Sequence, residues 1–88
     1  ASALIGEAYD AISTAVTYVS QTYVDTLKKS GQFSKENQAE AFNMAKEAAL
    51  QTISDNAKNY IENTLGGLDA WLTTNIEAQV REAKENKI

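Results

Sequence analysis

Glu36, Glu40 and Glu47 are the side chains whose type and spacing come nearest to a chemical site in this sequence. On a helix they fall on one side, where carboxylates could hold a cation or exchange protons. Either task needs convergent partners from another element. The chain has no His and no Cys, which removes the commonest general base, thiolate nucleophiles and most transition-metal ligand sets. A solvated helix face is the simpler reading of the three glutamates. Gly66-Gly67 could suggest a phosphate loop, but no strand precedes it and no Lys follows it, so it reads as a turn. No catalytic, metal-binding or cofactor-binding residue is therefore expected. The chain reads as a non-enzyme without a small-molecule substrate.

Charge narrows the partners further. Lys and Arg total 8 against 12 Asp and Glu, for a net charge of −4. That is the wrong sign for gripping phosphates, and no nucleic-acid partner is expected. A protein that imitates nucleic acid would concentrate its acids on one face. Here the charge is spread along the chain, with Asp25–Lys29 and Glu77–Arg81 spaced i,i+4 and Asp55–Lys58 spaced i,i+3. Apolar runs stop at three residues, as in Ala3-Leu4-Ile5 and Ala70-Trp71-Leu72. A membrane-spanning helix needs about 20 mostly apolar residues. Any membrane anchor is expected outside these residues, and the 88 residues by themselves are expected to be soluble.

The elements follow from periodicity. The chain lacks Pro, and its strongest breaks are Ser30-Gly31 and Gly66-Gly67. Between about residues 3 and 30, Ile5, Tyr9, Ile12, Val16, Val19, Tyr23 and Leu27 share a band roughly 80° wide at the helical period. Eight of the fifteen residues from 12 to 26 are β-branched and favour strand. Helix prevails because Tyr18-Val19 and Tyr23-Val24 are adjacent pairs that break any alternation. Ser34 is a predicted N-cap for a second helix over about 35–53, whose inner face is mostly alanine. Ser54-Asp55 predicts a break and a third helix over about 55–65. The fourth runs over about 68–85 with Leu68, Leu72, Ile76, Val80 and Ala83 on one stripe. The expected fold is all-α, a small bundle of three or four helices with a long first helix and a single domain over residues 1–88.

The first helix is also the candidate self-association surface, through Ile12, Val16, Tyr18, Val19, Tyr23, Val24 and Leu27. At ~1.5 Å per residue it spans about 40 Å, longer than its partners, so part of its stripe is expected to stay wet in a monomer. Tyr18 and Val24 point away from that stripe and are expected outside. A homo-oligomer is the simplest way to cover such a surface.

Three stretches together resemble a known family. Ala15 to Lys29, followed by Gly31 and Phe33, is similar to the segment after the membrane helix of LL-H-type bacteriophage holins. Phe33 to Glu36, with Ala41, Phe42 and Ala45, is similar to the family's second helix. Leu68-Asp69-Ala70-Trp71-Leu72, with Ile76-Glu77-Ala78 and Val80, resembles its closing motif. The resemblance runs from about Ala8 to Lys84 and implies a phage protein that gathers in the host's inner membrane and opens it at a set time. This chain would then be the cytoplasmic domain, acting in self-association and timing, with the membrane helix missing from its N-terminal side. The alternative is a helical self-association or interaction module of a phage or bacterial protein with no lytic role.

Overall fold

The computed structural model describes the backbone of residues 2–85 and the side chains of residues 3–82; Ala83, placed on the last helical stripe by the sequence, lies outside the described side chains. Among the described residues four helices form one bundle of 42 × 25 × 18 Å. The first, α1, is continuous over residues 2–29 but changes pitch on the way: α-helix Ser2–Val19, a π-turn Ser20–Val24, then α-helix Asp25–Lys29. α2 is Lys35–Thr52, α3 is Asp55–Thr64 and α4 is Leu68–Glu85. No strand occurs among the described residues, so the β-branched run yields to the helical period.

Each junction has a local cause. After Lys29 the chain makes a Schellman turn: Gln32 N–H donates to Leu27 C=O at 2.9 Å and Gly31 N–H to Lys28 C=O at 3.2 Å. That turn needs a left-handed residue, and Gly31 supplies it at φ 73°. Ser34 caps α2, its Oγ accepting from Asn37 N–H at 3.2 Å. Ile53 and Ser54 turn extended (ψ 134° and 157°), and Ser54 Oγ accepts from Ala57 N–H at 3.2 Å to start α3. Gly66 and Gly67, at φ 86° and 113°, turn the chain into α4. There Glu62 accepts the otherwise orphaned Leu68 N–H at 2.8 Å.

Glu7 ties the bundle at the second junction. Its carboxylate accepts Ser54 N–H at 2.6 Å and the Ser54 hydroxyl at 3.2 Å. At the helical period Glu7 falls opposite the apolar band of the first helix, on the solvent side. The structure instead uses it to clamp α1 to the α2–α3 break. α1 and α2 are antiparallel, with Glu7 at Ser54 at one end and Tyr23 at Asn37 and Glu40 at the other. α4 runs parallel to α1, placing Tyr9 against Trp71 with ring centroids 5.4 Å apart. Lys46 of α2 pairs with Asp69 at the start of α4.

The core is thin because its side chains are small. Among the described residues fourteen hydrophobic side chains are buried, and seven of them are alanine: Ala8, Ala11, Ala15, Ala41, Ala45, Ala49 and Ala57. The largest fully buried side chains are Ile12, Ile61, Leu72 and Ile76. α3 packs on α1 and α4 beside the first half of α1, so four helices close that end. The other end has only α1, α2 and α4.

Candidate ligand groove and association surface

The three-helix end is where the bundle opens. A groove of about 430 Å3 lies between the second half of α1, the first half of α2 and the second half of α4. Its floor is apolar: Val16, Val19 and Val24 from α1, Ala41, Phe42 and Ala45 from α2, and Ile76 and Val80 from α4. The alanines of α2 are too short to fill the space that the neighbouring valines and phenylalanines hold open. Lys28, Phe33, Gln38, Glu77 and Arg81 complete the lining. Lys28 Nζ stands 5.5 Å from the centroid of the Phe33 ring, in cation–π range.

The π-turn brings Val24 and Lys28 to this groove. One extra residue in a turn rotates everything downstream by about 100° relative to a straight α-helix. On a straight helix Val24 would face solvent, which is where the sequence pattern placed it. After the π-turn it is half-buried and packs on the core. The expectation of an outward Val24 is therefore corrected. Two threonines help carry the chain through the pitch change: Thr22 Oγ1 donates to Tyr18 C=O at 2.8 Å and Thr26 Oγ1 to Thr22 C=O at 2.7 Å. A signal was present in the sequence. Tyr18-Val19 recurs as Tyr23-Val24 five residues later, which is the i→i+5 spacing of a π-turn rather than the 3.6-residue period.

The candidate association residues divide into two groups. Ile12, Val16 and Val19 are buried, at 0%, 8% and 4% exposure, beneath the chain's own helices. They are withdrawn from the association surface: α2 and α4 run alongside α1 and cover this stretch of a stripe of which part was expected to stay wet. Tyr18 is 63% exposed, on the side of α1 away from the core, among Ser13, Thr14, Thr17 and Gln21. Tyr23, Val24 and Leu27 are half-buried. Of the seven residues, Tyr18 alone presents most of its side chain to a partner.

The Tyr23 hydroxyl donates to Glu40 Oε2 at 2.6 Å and lies 3.4 Å from Asn37 Oδ1. The bond to the Glu40 carboxylate, with its negative charge, holds the phenol above its ordinary pKa of 10.0. Glu40 is thus spoken for, and no group of three or more Asp, Glu, His or Cys side chains converges among the described residues. Asp55 and Lys58 approach to 4.0 Å as their spacing predicts. Glu77 and Arg81 do not form the i,i+4 ion pair expected of them; both side chains line the groove instead. Sequence reasoning missed Lys28 and Arg81 as groove residues: Arg81 had a sufficient local explanation as an i,i+4 partner, and at an unbroken helical pitch Lys28 falls on the side of α1 opposite the apolar band. Among the described residues no helix is long and apolar enough to cross a membrane. No protein-family model, curated protein or solved structure matches the chain.

Proposed function

We propose that this chain is the cytoplasmic domain of a phage holin of the LL-H type, a non-catalytic helical module that gathers copies and helps set when the host membrane is opened. The observation that carries the reading is the order and spacing of three stretches: Ala15 to Lys29 with Gly31 and Phe33, Phe33 to Ala45, and Leu68 to Val80. The fold is compatible with it in a specific way. The first stretch is the second half of a long α1, the second starts α2, and the third is the face of α4 that packs beside α1. The first two and the Ile76–Val80 part of the third line the open end of the bundle.

In this proposal a membrane helix lies upstream of Ala1 and the domain self-associates through the Tyr18 face of α1. The domain supplies no chemistry; it supplies contacts between copies, so that lesion formation waits on local concentration. Expression of the gene with its upstream coding sequence in a bacterial host tests the reading. The product should enter the inner membrane and, after a delay, admit a membrane-impermeant dye. An upstream coding sequence without an apolar stretch of about 20 residues would refute it. So would a cell membrane that stays intact while the product accumulates there.

A further inference from the structure

The groove at the three-helix end has features that self-association through Tyr18 does not use, and from them we infer that it binds the alkyl chain of a single-chain amphiphile with a carboxylate head, a free fatty acid. The first feature is volume. About 430 Å3 lies within the ~300–1,000 Å3 range of small-molecule sites. At roughly 30 Å3 per water-sized group it has room for on the order of ten such groups. That is room for one alkyl chain of about a dozen carbons.

The second is lining. Apolar side chains from three helices form the floor, and no buried polar side-chain atom lacks a partner among the described residues. Nothing inside the groove asks for a polar guest. Water there would find few hydrogen bonds, whereas an alkyl chain would recover the dispersion contacts the short alanines leave unmade.

The third is charge. Lys28 and Arg81 line the same groove, come from different helices, and neither makes an ion pair among the described residues. With Glu77 they give the lining a net charge of +1 on a chain of net −4. Both cations are on exposed, flexible side chains that can close over a carboxylate. A π-turn that swings Val24 inward and Lys28 to the same groove builds the floor and part of the rim at once. π-turns inside α-helices are frequent at functional sites. This inference does not depend on the holin reading.

Calorimetric titration with dodecanoate below its micelle concentration, read alongside methyl chemical shifts, tests the inference. Dodecanoate should bind saturably at one per chain and shift the Val16, Val19, Val24 and Val80 methyls. Dodecyltrimethylammonium, with the same tail and the opposite head, should bind more weakly. The exposed double variant Lys28→Gln/Arg81→Gln should keep its helical circular dichroism and lose roughly tenfold in dodecanoate affinity. Absence of saturable binding would overturn the proposal. So would equal affinity for the two heads, or an unaffected double variant. Groove methyl shifts that arise merely on concentrating the protein would give the groove to a second copy and would also overturn it.

Discussion

Ile12 is the place to test whether the bundle is held mainly at its four-helix end. It is fully buried among the largest side chains of an alanine-rich core. Ile12→Val removes one methyl group and should cost roughly 1 kcal/mol, whereas Ile12→Ala leaves a cavity and should cost ~2–5 kcal/mol. At ~0.05–0.15 kcal/mol per residue, a chain of 88 residues has about 4–13 kcal/mol in all. Ile12→Ala therefore removes a large fraction of the total. For a domain of this size 1 kcal/mol moves the melting temperature by about 4–8 °C, so Ile12→Val should melt several degrees lower and Ile12→Ala at least ~10 °C lower. Val24→Ala is the comparison. Val24 is half-buried and borders open space, so its loss adds little new cavity. Two methylene equivalents, half-buried, amount to about 0.8 kcal/mol. Thermal melts followed by circular dichroism decide the matter. A Val24→Ala cost equal to that of Ile12→Ala would mean the groove is packed shut. An Ile12→Ala cost under ~1 kcal/mol would mean Ile12 is not in the core.

Two further outcomes are expected. Val16→Asp sets an unpaired carboxylate against the apolar floor of the groove, 8% exposed, and should cost several kcal/mol, leaving a largely unfolded chain at 37 °C; a variant with an unchanged melt would show that Val16 faces solvent. The phenol of Tyr23 has its pKa raised by Glu40, so the bond stabilises the fold in full below the unfolded value of 10.0 and is lost as pH rises through the higher folded value. In a phenolate absorbance titration one tyrosine should lag behind free tyrosine, and Tyr23→Phe should remove that lagging step; a wild-type titration without it would contradict the Tyr23–Glu40 bond.

The helices were legible because their boundaries are written in short-range chemistry. Ser34, Ser54, Gly31 and Gly66-Gly67 act within a few residues of themselves, and each stands where a cap or a positive φ is required. The buried stripe Ile12–Val16–Val19 was legible for the same reason, as a local period. Its partner was not: periodicity shows that a face is apolar but not whether another copy or the chain's own helices cover it. The π-turn was hidden because a fixed 100° wheel carries one pitch through the whole helix and so rotated Val24 and Lys28 to the wrong side. Glu7 was misplaced for another reason. Its acceptor role depends on Ser54, 47 residues away, and a carboxylate on a helical wheel looks the same whether it meets water or a distant N–H.

Sedimentation equilibrium of the 9.6 kDa chain at tens of micromolar, with Tyr18→Ser alongside, tests most directly the claim that this domain works by gathering copies. Tyr18 is largely exposed, so its replacement should leave the folding stability within about 0.5 kcal/mol of wild type. The account predicts a mass above 9.6 kDa that rises with concentration in the wild type and returns to that of the monomer in Tyr18→Ser. A single 9.6 kDa species at every concentration, or an oligomer indifferent to Tyr18, would contradict it.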